Sequence, residues 1–309
     1  MTTNLKWLIS HEPQHLFKRA ADAFAEKISA RTNNEVQIDV ITEAEYKNQI
    51  DDSFSAKNVN HLFSAMEENK IQLGHTNTHL FGGIDKNFRV FDMPFLFEDH
   101  EHASRVFDGE IGMTMASRLA NDSKIRGLCF TYSGGFRIIG SNEQFTSIDD
   151  LKGKRVRVND NPVNADFMTA VGAIPKRHET YGYDEIISGD LQASETTYIR
   201  FLGKHVLKTE HNMFLTMIFI NTQTWNSMTA ETQLAFQEVA SEVAKLERQW
   251  SIEDAAKFER DSIANGITIN SISPEEKALL RKSSDQVYQN WNQYFAPGLL
   301  DAINAEKLH

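Results

Sequence analysis

The amino-acid sequence predicts an α/β protein of two lobes, with mixed and mostly parallel sheets. Strand-like and helix-like segments alternate over the first hundred residues, an order typical of parallel strands covered by helices. The pair Gly134-Gly135 then interrupts the pattern, and a second series of short strands and helices follows it. The length of 309 residues is sufficient for two domains of ordinary size.

Hydrophobic periodicity predicts the elements of the first lobe. Apolar residues alternate with polar ones in the strands and recur every three or four residues in the helices. In order, we predict a strand over residues 5–10, a helix from Pro13 to about 30, a strand over 35–42, a helix over about 58–68, a strand over 71–76, an aromatic segment over 88–97, a helix over about 101–121 and a strand over 126–132.

The predicted elements of the second lobe are shorter. They are an extended segment over residues 136–140, a turn of helix at 147–151, a strand over 154–158, helices over 165–171 and about 183–187, a strand over 213–221, a helix over 229–264, a strand over 267–272 and a helical region from Pro274. The helix over 229–264 is long, and it either spans both lobes or kinks near Trp250. Two such lobes predict a ligand site in the cleft between them, near the carboxyl ends of the strands.

Composition and charge exclude several classes of protein. The formal net charge of −11 argues against a nucleic-acid partner, which needs basic patches. The sequence has no apolar stretch long enough to span a membrane and no signal peptide, so it is either cytosolic or a mature chain given a start Met. The single cysteine, Cys129, lies in an apolar run, where we expect a buried thiol.

Motifs for catalysis, metals and cofactors are not evident. His100 and His102 are two residues apart, whereas a metal-binding pair on a helix needs a spacing of four. The sequence contains no phosphate-binding loop, no G-x-S-x-G motif and no pairing of a nucleophile with a base. We therefore expect a protein that is not an enzyme and that uses no cofactor or metal.

Two arginines lie within apolar, strand-like runs. Arg137 follows Phe136 and precedes two isoleucines, and Arg157 lies between Val156 and Val158. Burying a guanidinium group is costly unless it meets an anion, so each arginine forms either a structural salt bridge or a binding site for a carboxylate. Periodicity alone leaves both interpretations open.

Several segments resemble the solute receptors of tripartite ATP-independent periplasmic (TRAP) transporters. They are VFDMPFLF at residues 90–97, LKGKRVRV at 151–158, and Gly172-Ala173 followed by Gly189-Asp190 and Glu195. The order and spacing of these segments hold from about residue 4 to residue 300. The resemblance implies a periplasmic binding protein of class II type, which closes like a clamshell and has a long helix spanning both lobes. Lobe I is then residues 1–133 with about 213–250, and lobe II is 134–212 with about 251–309.

By the same resemblance, Arg157 forms the main salt bridge to a ligand carboxylate and Arg137 assists it. Asn77 ends a strand of the first lobe where the family contacts ligand. The remaining ligand-binding residues predicted from this resemblance are Ser10, His11, Glu12, Asp160, Glu179, Tyr183 and Thr196. Thr196 replaces the Asn that often follows the Glu in this family. Polar residues near 178–183 stand where the family commonly has a large aromatic, which favours a polar acid as ligand.

The resemblance also implies a location and partners. We expect a monomer in the periplasm, with its signal peptide removed, that passes a small organic acid to membrane permease subunits. The ligand is a sugar acid, a hydroxy or keto acid, a dicarboxylate or a zwitterion. Two alternatives remain: a sensor that binds the same ligands, and an enzyme built on the same fold.

Overall fold

The computed structural model describes residues 2–10, 14–55, 59–178 and 191–307. Its contacts divide the chain into two compact units, each assembled from three separate segments. Unit 1 consists of Met1–Asp85, Ser104–Tyr132 and Leu215–Trp250. Unit 2 consists of Lys86–Ala103, Ser133–Phe214 and Ser251–His309. Residues 86–103 therefore belong to unit 2, whereas the sequence placed them in the first lobe.

The described part of the chain contains ten strands. They are β1 (Thr3–Ile9), β2 (Val36–Thr42), β3 (Leu73–Asn77), β4 (Ile125–Ser141), β5 (Arg155–Asn159), β6 (Ile174–His178), β7 (Leu191–Glu195), β8 (His205–Lys208), β9 (Met213–Asn221) and β10 (Thr268–Ser271).

The same part of the chain contains ten α-helices. They are α1 (Gln14–Arg31), α2 (Glu43–Gln49), α3 (Val59–Glu67), α4 (His100–Asp108), α5 (Glu110–Asp122), α6 (Pro162–Ala170), α7 (Thr222–Ser227), α8 (Ala230–Ala264), α9 (Pro274–Trp291) and α10 (Leu299–Ala305). Short 3₁₀ helices cover Thr78–Gly83, Lys86–Asp92, Ile148–Leu151, Thr196–Phe201 and Asn292–Tyr294. None of the helices described is both long and apolar enough to span a membrane.

Most predicted elements are present within a few residues of their predicted limits, and two differ. The helix predicted over 101–121 is broken into α4 and α5 at Gly109, because a glycine weakens a helix interior and here begins a new helix. The chain does not break at Gly134-Gly135. These two glycines have φ angles of 74° and 70° and lie within β4, where the N–H of Gly134 donates to Oγ of Ser251 at 2.8 Å.

The sheet of unit 1 has the strand order β2-β1-β3-β9-β4. β1 pairs in parallel with both β2 and β3, and β9 runs antiparallel to β3. The helices α1 and α8 cover an apolar core in which the ring of Trp7 meets that of Phe24 at 5.3 Å. Cys129 packs against this core, and burial raises the pKa of its thiol. The thiol is thereby kept protonated, which argues against a nucleophilic cysteine.

Unit 2 is built on the strand order β4-β7-β5-β6, with β8 beside β4 and β10 beside β8. β5 is parallel to both β6 and β7, whereas β4 is antiparallel to β7. The aromatic segment is packed inside this unit. The N–H of Phe95 donates to the carbonyl of His211 at 2.7 Å, and its ring meets that of Phe167 at 6.0 Å. These contacts explain why residues 86–103 belong to unit 2.

Candidate functional site

Arg137 lies on β4 directly opposite Glu195 on β7. Both side chains are buried, with 4% and 2% of their surface exposed. The guanidinium group of Arg137 lies 4.4 Å from the centre of the Phe214 ring, and its main-chain N–H donates to the carbonyl of Asn212 at 2.8 Å. The antiparallel register and these contacts fix a positive charge inside unit 2 beside a carboxyl group.

The carboxyl group of Glu195 has a perturbed pKa. Burial raises this pKa, and the positive charge of Arg137 opposes the rise. The hydroxyl of Ser194 donates to Oε2 of Glu195 at 2.9 Å. This hydrogen bond and the charge of Arg157 also oppose the rise in the pKa of Glu195. Glu195 is therefore a buried acid whose ionisation depends on the two arginines that the sequence singled out.

Arg157 lies on β5, where its Cα is paired with that of Gln192 on β7. Its neighbours Val156 and Val158 are almost fully buried, and Arg157 itself is 7% exposed. Gln192 and Glu195 are three residues apart, or about 10 Å along a strand. The charge of Arg157 nevertheless lowers the pKa of Glu195, as that of Arg137 does. The two arginines thus act electrostatically on the same carboxyl group.

His211 completes this group of buried residues. Burial and the charge of Arg137 lower the pKa of its imidazole to about 3, so the ring is neutral at neutral pH. The ring stacks on Phe167 with 5.3 Å between ring centres, and Nδ1 forms a hydrogen bond of 2.8 Å with the hydroxyl of Thr209. A neutral histidine beside Arg137 adds no second positive charge at this point.

Asp92, the last residue of the 3₁₀ helix Lys86–Asp92, is also buried near Arg137. Burial raises the pKa of its carboxyl group to about 7, and the charge of Arg137, the Asn161 side chain and the charge of Arg89 oppose this rise. The acid is therefore divided between its neutral and charged forms near neutral pH.

This arrangement is suited to binding an anion. A guanidinium group presents its N–H donors in a planar fork that matches the two oxygens of a carboxylate. The environment of Arg137 and Arg157 excludes most water, and this strengthens such an interaction relative to one at the surface.

Thr196 and Asp160, predicted from the resemblance, have different environments in unit 2. Thr196 directly follows Glu195, begins the 3₁₀ helix Thr196–Phe201 and is buried. Asp160 follows β5 and is exposed. The structure therefore brings Thr196 next to the buried acid, while Asp160 lies at the surface.

Ser10 and Asn77 belong to unit 1. They follow or end the parallel strands β1 and β3, whose carboxyl ends lie together at one edge of the sheet. Asn77 is fully buried, and its neighbour on β3, His75, forms hydrogen bonds through Nε2 to the hydroxyls of Thr131 at 2.6 Å and Thr216 at 3.3 Å. His75, Thr131 and Thr216 thus form a buried, hydrogen-bonded polar group inside unit 1.

Four predicted ligand-binding residues lie outside the described residues: His11, Glu12, Glu179 and Tyr183. The helix predicted over 183–187 lies there too. In the ranges that the structure does describe, no group of three His, Cys, Asp or Glu side chains is arranged to hold a metal ion.

The sequence analysis missed Asp92 and His211 as parts of this group. Asp92 lies between Phe91 and Met93, so the reasoning applied to the arginines, a charge flanked by apolar residues, could have identified it. His211 follows a polar stretch, and nothing in its neighbours along the chain indicates that it is buried.

Comparison with known proteins shows the family of this chain. Residues 9–180 and 196–294 match the family described as bacterial extracellular solute-binding protein, family 7 (DctP). The C4-dicarboxylate-binding periplasmic protein DctP of Rhodobacter capsulatus is 23% identical over 298 residues, which cover 93% of this chain and 86% of that protein.

Solved structures of TRAP periplasmic solute binding proteins confirm the predicted fold class. The protein from Haemophilus influenzae RdAW with bound L-gulonate has a TM-score of 0.85 at 21% identity, and the match covers 99% of this chain and 100% of that one. The protein from Pseudomonas putida F1 with bound D-glucuronate has a TM-score of 0.84 at 22% identity, over 99% and 98% of the chains. The chain belongs to the bacterial extracellular solute-binding protein family 7.

Proposed function

We propose that the protein is an extracytoplasmic receptor that binds a small organic acid and delivers it to a TRAP-type transporter. Arg157 forms the main salt bridge to the ligand carboxylate, and Arg137 assists it. The observation that carries the proposal is the pair of buried arginines whose charges act on one carboxyl group, Glu195. A further anion there gains two charge-assisted partners in a site shielded from water.

The ligands of related proteins support an acid as the ligand class. L-gulonate and D-glucuronate, found in the two structural relatives, are polar sugar acids. The Rhodobacter relative is described as binding C4-dicarboxylates. Of the classes that the sequence left open, a polar acid such as a sugar acid agrees best with the polar residues near 178–183, where the family commonly has a large aromatic.

The proposal includes the location and the partners of the protein. Related proteins are described as periplasmic, which supports placing this protein outside the cytoplasm. We further propose that it acts as a monomer and contacts the membrane permease subunits of the transporter. Genes for a two-part permease next to the gene for this protein would favour transport, and a gene for a sensor kinase there would favour signalling.

A thermal-shift screen tests the ligand class. The panel contains D-glucuronate, L-gulonate, a hydroxy acid, a keto acid, succinate and a betaine. An acid at about 100 times its Kd stabilises the folded protein by about 2.7 kcal/mol, which raises the Tm of a cooperatively unfolding chain of this length by roughly 4 °C. A panel in which no acid raises the Tm would refute the proposal.

Calorimetric titration with the best acid then tests Arg157. We expect Arg157→Ala to lose about 2–5 kcal/mol of binding free energy, or roughly 30-fold to several thousand-fold in Kd. Arg157→Lys keeps the positive charge but loses the planar guanidinium group that bonds both carboxylate oxygens, so this variant should bind with intermediate affinity. Arg260→Ala removes an exposed arginine of α8 in the same unit and serves as the matched control. Equal affinity of Arg157→Ala and Arg260→Ala would exclude Arg157 as the main contact.

A further inference from the structure

We infer that Asp92 is a positioning residue for Arg137, and that its carboxyl group takes up a proton when an organic anion binds at Arg137. The inference rests on the proposed function, because it places the bound anion close to Arg137. It identifies Asp92 as a residue that takes up a proton when the ligand binds.

Hydrogen bonds through Asn212 link the main chain of Asp92 to the main chain of Arg137. The side-chain amide of Asn212 donates to the main-chain carbonyl of Asp92 at 3.3 Å and to Oδ1 of Asn164 at 2.6 Å. The main-chain carbonyl of Asn212 accepts from the N–H of Arg137 at 2.8 Å. Because Asn212 bonds to both, the main chain at Asp92 is held close to the main chain at Arg137.

The Asp92 carboxyl group has little compensation for its burial. Asp92 is 7% exposed, and its Oδ2 atom is shielded from solvent and has no hydrogen-bond partner among the described residues. The charge of Arg137 and, after it, a hydrogen bond from the Asn161 side chain lower the pKa of this carboxyl group. The ionised form of the buried carboxyl group is therefore stabilised chiefly by the positive charge of Arg137.

The charged and titratable groups around Asp92 come from several elements. They are Arg89 on its own 3₁₀ helix, Arg137 on β4, Glu195 opposite Arg137 on β7, His211 just before β9, and Arg281 on α9, which lies over the ring of Phe95. His211 is neutral near pH 7, since burial and Arg137 hold its pKa at about 3. Of these groups, Arg137 is the strongest to favour the ionised form of Asp92, whose pKa is about 7.

A ligand carboxylate bound at Arg137 raises the pKa of Asp92. Its negative charge at Arg137 offsets part of the positive charge that stabilises ionised Asp92, so the bound state holds the proton more tightly than the free state. Affinity and protonation are linked, and the acid therefore binds more tightly as the pH falls through about 7. A rise of one unit in the pKa of Asp92 on binding gives at most a tenfold change in Kd.

The test uses the full-length protein with D-glucuronate and L-gulonate as probes, and the probe that binds more tightly is carried forward. Calorimetric titrations at pH 6, 7 and 8, each in two buffers with different heats of ionisation, give Kd and the number of protons taken up. For the parent protein we expect a Kd several-fold lower at pH 6 than at pH 8, with uptake of a fraction of a proton at pH 7.

Asp92→Asn keeps the shape of the side chain and removes its titration. We expect this variant to bind without proton uptake and with a Kd that does not change over this pH range. Asp285→Asn, an exposed aspartate on α9 of the same unit, should behave like the parent protein. A purely structural role for Asp92 would change affinity at every pH alike and leave the proton uptake intact.

The outcomes separate the two proposals. Binding by the parent protein with no proton uptake and no pH dependence overturns the role of Asp92, whether or not the variant folds, and leaves the proposed function standing. Proton uptake that persists in folded Asp92→Asn also overturns it. No binding of either sugar acid or of any other acid in the panel overturns the proposed function, and with it the inference.

Discussion

Replacing Gly134 by alanine tests how closely the backbone of β4 approaches Glu195. Gly134 has a φ of 74°, in the left-handed region that favours glycine. A Cβ added at this position would lie 2.6 Å from Cγ of Glu195, 2.9 Å from its Cβ and 3.1 Å from the main-chain nitrogen of Thr197. Glu195 is the residue paired with Arg137, so the variant should affect both stability and ligand binding.

The structure supplies a matched control that separates the two causes of destabilisation. Gly153 has a φ of 71° and belongs to the same unit, but no atom lies within 4 Å of the Cβ that an alanine would add there. In both variants the left-handed backbone conformation destabilises the folded state by roughly 1–2 kcal/mol. Alanine also makes the unfolded chain less flexible, which offsets roughly 0.4–1 kcal/mol of this loss. Gly134→Ala also incurs an overpacking cost of about 1–3 kcal/mol. The difference between the variants is therefore about 1–3 kcal/mol.

Urea titrations of the two variants and the parent protein measure this difference. We expect Gly134→Ala to be the less stable variant and to bind the cognate acid several-fold more weakly, because Glu195 must move. Gly153→Ala should bind with the affinity of the parent protein. Equal free energies of unfolding for the two variants would show that Glu195 moves aside at no cost, and would refute the close approach inferred at Gly134.

Two further predictions concern buried ionisable groups. Because burial and Arg137 lower the pKa of His211 from its usual 6.5 to about 3, the unfolded chain binds a proton below pH 6.5 that the folded protein does not. The stability associated with a neutral His211 is present above pH 6.5 and is lost as the pH falls, at up to about 1.4 kcal/mol per unit. Urea titrations at pH 7, 6 and 5 should show a shallower fall for His211→Gln, and equal slopes would contradict this. In unit 1, Nη2 of the buried Arg248 donates to both carboxylate oxygens of Asp108, at 2.7 and 2.6 Å. Since Asp108 is 34% exposed, we expect Arg248→Lys to lower the free energy of unfolding by only about 1–2 kcal/mol. In an Asp108→Asn background the same substitution should lower it very little. Equal losses in both backgrounds would argue against a stabilising ion pair.

Most of the fold could be predicted because its strands and helices bury regular apolar patterns. Strand β9 was predicted to the residue, since its nine residues are all buried and seven of them are apolar. The short strand β6, with the sequence IPKRH, carries three basic residues and was missed. Helix α2 lies in a polar stretch without an apolar stripe, although the capping box of Thr42 and Glu45 marks its start.

The candidate site was predictable where a charge interrupts an apolar strand. Arg137 and Arg157 satisfy that criterion, and both are buried in unit 2. The role of His211 depends on Phe167 and Thr209, which surround its ring, and on the nearby charge of Arg137, contributed by three separate parts of the chain. No local pattern encodes such an environment, because it is created only by tertiary packing.

The division of each unit into three chain segments has a consequence for the order of folding. The core of unit 1 contains Ile218, Ile220 and Phe236, so it cannot close before the segment Leu215–Trp250 has been synthesised. Unit 2 requires residues beyond Ser251. Folding from the N-terminus, one domain at a time, is therefore not available to this chain, and its native contacts join residues far apart in sequence, which slows folding. The nascent polypeptide therefore has no completed core until Val243, the last residue of the unit 1 core, has been synthesised.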